Sequence, residues 1–190
     1  MKHTVLTAAL IGTLMAGVAL PAAAQQKLLP EQSELNFVAK QMGVPMNGHF
    51  RKFDAQVTFD AAKLAASKVA FTVDMGSATL GSAEADSELP KATWFNVPKF
   101  PQATFTSTAI KALGAGKYEM AGQLSIKGQA REVLVPVSMM QKGAVTVATG
   151  VLPIKRLAFK VGDGDWADTS MVADDVQVTF KLALSGLGKL

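Results

Sequence analysis

Apolar side chains recur at every second position along most of the chain after residue 33, and a sequence with that period buries one face only as a β-sheet. Leu35, Phe37 and Ala39 alternate with Glu34, Asn36 and Lys40, with Val38 out of phase. Phe53, Ala55, Val57 and Phe59 alternate with Asp54, Gln56, Thr58 and Asp60, and Val69, Phe71, Val73 and Met75 with Lys68, Ala70, Thr72 and Asp74. The pattern continues through Ala103, Phe105, Ser107 and Ala109, through Tyr118, Met120, Gly122, Leu124 and Ile126, and through Val133, Val135, Val137 and Met139. Val145, Val147, Thr149 and Val151 follow, and Val176, Val178, Phe180, Leu182 and Leu184 end the series, which predicts eight strands.

The connections at residues 114–116, 127–130 and 141–143 each carry glycine and are too short for a parallel crossover, so the order is antiparallel. The long connection, residues 76–102, is expected to hold a short helix opened by Ser87 or Pro90 and running through Trp94 and Phe95. A second helical turn fits residues 61–66. Strands with one apolar face each remove their exposed edges by closing, which predicts an all-β, eight-stranded antiparallel barrel with one or two short helices.

The interior of such a barrel is just wide enough to be filled by side chains or to hold one small ligand. Ala39, Ala55, Ala103, Ser107, Ala109 and Gly122 on the inward phase favour a lumen, although small and large residues also alternate to fit a barrel's taper. The same phase makes Phe37, Phe71, Val73, Phe105, Leu124, Val135, Val147 and Phe180 the candidate ligand-binding residues.

Composition removes most chemistry from consideration. There is no cysteine, hence no disulfide, thiolate metal site or Cys nucleophile, and the two histidines are His3 and His49. A formal charge of +4 with no Lys/Arg run longer than two argues against nucleic acid as a partner. Glu84, Asp86 and Glu88 read as a solvated acidic turn, and Asp163, Asp165, Asp168 and Asp174 lack the glycine and the bidentate glutamate of a calcium loop. No catalytic residue, metal or cofactor is expected, and the chain does not read as an enzyme.

Lys2, the apolar stretch 5–20 and the small residues Ala22 to Ala24 read as a secretory signal over residues 1–24, cleaved after Ala24. The expectation is a soluble periplasmic domain over residues 25–190. Near the predicted mouth of the barrel, His49, Trp94, Arg156, Lys160 and Trp166 are candidate headgroup residues. A guanidinium, an ammonium or an indole N–H would attract an anionic or carbonyl oxygen of a ligand, and packing across the barrel end is the competing reading.

The order of short motifs adds a resemblance. Ser33-x-Leu35-x-Phe37, then Lys40 to Val44, Gly48-x-Phe50 and Trp94-Phe95 are followed by Phe100-Pro101-x-Ala103-x-Phe105 with Ser107. Gly122-x-Leu124-x-Ile126-Lys127-Gly128, Arg156-x-x-Phe159-x-x-Gly162 and Trp166 complete them. In this order the chain resembles the YceI-like, polyisoprenoid-binding family from about residue 33 to residue 184. The resemblance implies an extended lipocalin-like barrel, usually exported, that holds a long isoprenoid or similar lipid in its lumen for transport, storage or stress response. Gln41 stands where many members carry His, and residues 82–88 lack the usual Arg-Asp pair. Both features resemble the subgroup associated with b-type cytochromes and quinones. The ligand is thus expected to be a polyprenyl chain or a quinone tail. The alternative is a non-carrier accessory of a membrane b-type cytochrome or quinone redox system. A membrane cytochrome and a second copy of the chain are the protein partners to consider.

Overall fold

The computed structural model describes residues 25–190, so the expected signal segment, residues 1–24, lies outside the described residues. Eleven strands form one antiparallel sheet. They are β1 (Lys27–Leu28), β2 (Glu34–Gln41), β3 (Val44–Phe50), β4 (Phe53–Thr58), β5 (Lys68–Asp74) and β6 (Ala78–Thr79), followed by β7 (Gln102–Gly114), β8 (Lys117–Ile126), β9 (Gln129–Lys142), β10 (Val145–Lys155) and β11 (Asp175–Ser185). The single α-helix among the described residues, α1 (Ala83–Glu88), precedes the expected segment at Trp94, and the residues around Trp94 form turns instead. Asp86 explains the earlier position. Its carboxylate accepts from Thr79 Oγ1 at 2.5 Å and from the Leu80 N–H at 2.6 Å, which fastens α1 to β6 and holds the Asp86 pKa below its ordinary value. The expected turn at residues 61–66 is present as a 3-10 turn, Leu64–Ala66.

Three strands exceed the expected count: β1 and β6 span two residues each, and β3 carries Pro45, Asn47 and Gly48, which hide its alternation. Two phases also differ from expectation. A bulge between Ser107 and Ala109 inserts a residue into β7, so Ile110 rather than Ala109 packs toward the core. In β10, Thr146 and Ala148 are buried while Thr149 and Val151 are exposed, so Val147 lies on the outer phase and does not face the lumen. The cause is the preference of β-branched side chains for strands on either face, which lets valine mark the strand without marking its inside. Inside, small residues are required because the Phe180 ring of β11 lies over Gly150 of β10.

The backbone ladder runs β4-β5-β7-β8-β9-β10-β11-β2-β3-β6 and is open between its two ends. Side chains and the N-terminal segment bridge this seam. Strand β1 pairs with β11, and the Gln26 amide donates to Phe59 O at 2.8 Å and accepts from Phe59 N at 2.7 Å, which satisfies both backbone groups just beyond β4. Phe59 is buried and meets Tyr118 edge-on, with ring centroids 5.3 Å apart. Gln26→Ala therefore leaves two backbone groups beside this cluster unpaired. A loss of about 2 kcal/mol is expected, read as a lower urea midpoint with unchanged slope; an unchanged midpoint would show that the seam is closed by other means.

Register separates the two ends of the barrel. Gln41 pairs with Val44 and Val172, and Lys155 pairs with Asp175, so the β2–β3 turn and the loop from β10 to β11 share one end. The β8–β9 turn joins them, because Lys127 reaches the backbone of Thr93 and Lys160. At the opposite end β1 pairs beside Ser185, and Leu28, Leu184 and Leu187 are buried with Phe59 and Tyr118. Apolar packing closes that end.

Candidate functional site

The inward faces of the strands enclose a cavity of about 490 Å³ that opens at the end carrying the β10–β11 loop. Of the residues expected to line a lumen, Phe37, Phe71, Val73, Phe105, Leu124, Val135 and Phe180 do so, and Val147 does not; Ala148, Leu152 and Ile154 represent β10 instead. Met46 and Phe50 of the unexpected strand β3 also line it. The wall is apolar almost throughout, and its charged members are confined to Glu84, Glu88 and Arg156.

The cavity stays open despite its phenylalanines because several of them lie flat against the sheet. A Cβ built on Gly48 would overlap the ring of Phe37, its direct partner across β2 and β3. One on Gly122 would sit 2.6 Å from the Phe105 ring and 2.5 Å from Thr106 O. With Phe180 over Gly150, three rings rest on glycines of neighbouring strands instead of crossing the lumen. Gly48→Ala is expected to turn the Phe37 ring into the lumen and shrink the cavity, at a cost of about 1–3 kcal/mol. A crystal structure of the variant checks this, and an unmoved ring over a displaced β3 would contradict it.

The mouth residues divide into two groups. Trp94, Arg156 and Trp166 line the cavity, with the two indoles tilted against each other at 5.5 Å between centroids. His49 does not. It is exposed on the outer face of β3, beside Asn36 of β2, in a surface recess shared with Arg51 and Lys52. The alternation that turns Gly48 and Phe50 out of solvent turns His49 outward. Lys160 is likewise exposed, in the left-handed region at φ 55°, where the chain leaves a 3-10 turn. What it presents inward is its carbonyl.

Arg156 is 3% exposed, and all five of its N–H groups are consumed by backbone carbonyls. Nε donates to Ala173 O at 3.0 Å; Nη1 donates to Val161 O at 2.9 Å and Gly162 O at 2.6 Å; Nη2 donates to Trp166 O at 2.7 Å and Val172 O at 2.6 Å. Burial lowers its pKa from the ordinary value, and Asp174 acts in the opposite direction. Gly162, at φ +67°, is needed there, since a Cβ would lie 2.5 Å from Nη1 and 2.9 Å from Trp94. The guanidinium thus organises the loop that rims the cavity. All of the N–H groups with which it was expected to meet a headgroup are directed to this loop's own backbone.

Lys127, which the sequence places in a hairpin turn and in a family motif without a role for its side chain, is the counterpart of Arg156. It occupies φ 48° ahead of Gly128 in the β8–β9 hairpin, yet its side chain is 6% exposed. Its ammonium donates to Lys160 O at 2.6 Å, Thr93 O at 3.2 Å and Asp163 Oδ2 at 3.2 Å. Both buried cations are thereby spent on holding the rim. Glu84 and Glu88, read earlier as a solvated turn, lie along the mouth.

Comparison with known proteins places this geometry. Protein YceI of Salmonella arizonae is 36% identical over 110 residues, so the match spans 57% of each chain. A UPF0312 protein of Azotobacter vinelandii is 32% identical over 146 residues, 75% of this chain and 76% of its own. Among solved structures, Burkholderia cenocepacia BcnA superposes with a TM-score of 0.79 at 47% identity, over 82% of this chain and 98% of that one. A polyisoprenoid binding domain from Saccharophagus degradans shares the fold with a TM-score of 0.68 at 16% identity, over 85% of this chain and 98% of that one. Residues 27–184, running from β1 into β11 and including every strand that walls the cavity, match the YceI-like domain, and the chain belongs to that family.

Proposed function

We propose that the chain is a lipid-binding protein that holds a long isoprenoid-type tail, a polyprenyl chain or the tail of a quinone, in the barrel lumen. The observation that carries this reading is the cavity itself: about 490 Å³, apolar along its depth, with charged side chains only toward one end. Such a wall offers an alkyl or prenyl chain contact and desolvation, and offers a reacting group no paired acid and base. The name of the Saccharophagus neighbour supports the same ligand class. The leader-like residues 1–24 support a periplasmic place of action, where the protein would transport or store the lipid.

Magnitudes support a partial enclosure of the tail. Burying each CH₂ is worth roughly 0.8 kcal/mol, so twenty carbons would nominally give on the order of 16 kcal/mol, close to the ceiling for non-covalent affinity. Ordering a flexible chain consumes much of that, and a part-buried tail already binds tightly. The test uses delipidated protein titrated with geranylgeraniol. A melting temperature that rises with ligand concentration is expected, because a ligand bound only by the native state stabilises it by mass action. No rise up to the solubility limit of the alcohol would overturn the reading.

A further inference from the structure

Seven large apolar side chains are exposed among the described residues, and three of them share the open end of the barrel. Met42 is 66% exposed, Val44 63% and Met171 40%, whereas Leu113, Leu134, Met140 and Val151 lie on β7, β9 and β10. Met42 and Val44 form the tip of the β2–β3 hairpin, and Met171 stands in the β10–β11 loop. The Met42 N–H donates to Met171 O at 2.8 Å and the Ala173 N–H to Lys40 O at 2.9 Å, which joins the two tips into one surface. Residues 41–46 and 169–173 carry no charged side chain.

The fold gains nothing from this patch. Met42 and Gly43 both have positive φ, 47° and 79°, in a two-residue hairpin turn whose first position favours Asn, Asp or Gly. Lys127 takes the same backbone at the tip of the β8–β9 hairpin, but its side chain turns inward and holds the rim. The Met42 side chain turns to solvent instead, so it supplies neither packing nor turn preference, and its contact lies outside the chain.

Position and charge say what that contact is. Gln41 and Val172, the chain neighbours of Met42 and Met171, line the cavity with Met46, so the patch is the outward continuation of the apolar wall. Its borders carry both signs. Lys155 pairs with Asp175 at 2.7 Å, the Asp168 carboxylate accepts from Ser170, and Lys40 and Glu84 are exposed. An uncharged tip inside a mixed border fits the apolar layer beneath a zwitterionic lipid surface. A tail that crosses water exposes its whole apolar area, a cost that grows with every CH₂, and a mouth set against the bilayer removes that step. Resting on the lipid-binding reading, we infer that the paired tips of the β2–β3 hairpin and the β10–β11 loop are a docking face for a zwitterionic lipid surface, through which the tail passes between bilayer and cavity.

The experiment mixes delipidated protein with vesicles of phosphatidylcholine brominated in its acyl chains. Trp94 and Trp166, the two tryptophans of the chain, line the mouth, so docking in this orientation is read as quenching of their fluorescence. Quenching of the parent protein is expected and should change little as salt rises, because the contact is apolar. Met42→Asn combined with Met171→Gln should need at least about tenfold more lipid for half-quenching, since withdrawing one methionine from an apolar contact is worth about that factor. Neither residue lines the cavity, and asparagine suits the left-handed backbone, so the variant should melt no lower than the parent and keep its stabilisation by geranylgeraniol. Uptake of a long polyprenol from unbrominated vesicles should quicken in proportion to vesicle concentration, and less steeply for the variant. No quenching, equal quenching of both proteins, quenching abolished by salt, or uptake at a rate independent of vesicle concentration would each overturn the docking face; stabilisation by geranylgeraniol would then leave the lipid-binding reading intact. Quenching confined to the parent, without uptake or stabilisation, would keep the docking face and overturn the lipid-binding reading.

Discussion

Replacing Arg156 with alanine is expected to lower the melting temperature by roughly 10–20 °C, the largest effect of any single side chain in this barrel. Five carbonyls, those of Val161, Gly162, Trp166, Val172 and Ala173, lose their donors together. An orphaned buried acceptor costs about 1–3 kcal/mol, so even the lower bound for each sums to around 5 kcal/mol. A domain of this size loses about 2–4 °C for each kcal/mol. Arg156→Lys keeps the charge but supplies at most three donors without the planar fork, and an intermediate loss is expected. Should the alanine variant fall too short of folding to be measured, the lysine variant carries the test. A lysine variant as stable as the parent would show that the cage of carbonyls is satisfied by water and that Arg156 is not its organiser.

The second large effect concerns the lumen. Ala103 is buried, lines the cavity beside Val73, and packs in the cluster of Leu35, Val73 and Met75. Its methyl leaves open the volume that a lipid tail would take, so Ala103→Trp is expected to abolish the lipid-dependent rise in melting temperature. In the parent protein, ligand at a hundred times its dissociation constant contributes about 2.7 kcal/mol, or roughly 5–10 °C. Overpacking a filled core would instead cost about 1–3 kcal/mol whether or not lipid is present. The two cases separate when both proteins are melted with and without geranylgeraniol. A tryptophan variant that still gains the full shift would place the tail elsewhere. Gly122 is a poorer site for the same test, because a side chain there strikes the backbone carbonyl of Thr106.

Much of this architecture was legible in the period-two alternation, since a half-buried strand writes its inner face into every second residue. The places where the alternation misled have local causes. Val145, Val147 and Val151 advertise a strand but sit outside, while the inner positions of β10 are small because Phe180 occupies the space above Gly150. One inserted residue in β7 reverses the phase after Ser107, an event that no residue type announces. Strand β3 hid because its inner position is Gly48, kept bare by the Phe37 ring. At the mouth, Trp94 and Trp166 were legible as amphipathic side chains, whereas the roles of Arg156 and Lys127 were not. Their partners are main-chain carbonyls, which every residue possesses and which the fold alone brings together. His49 attracted attention as a rare residue type, and its outward position follows from its neighbours Gly48 and Phe50.

Occupancy of the lumen is the most direct measure of the account. The protein is expressed with residues 1–24 in place, purified under mild conditions without detergent, extracted with organic solvent, and the extract is analysed by mass spectrometry beside an extract of Ala103→Trp. The account predicts a prenyl-chain species in near-stoichiometric amount from the parent protein and strongly depleted from the variant. An extract in which the same lipids appear in equal amount from both proteins, or a parent protein that yields none and remains unstabilised by added geranylgeraniol, would contradict it.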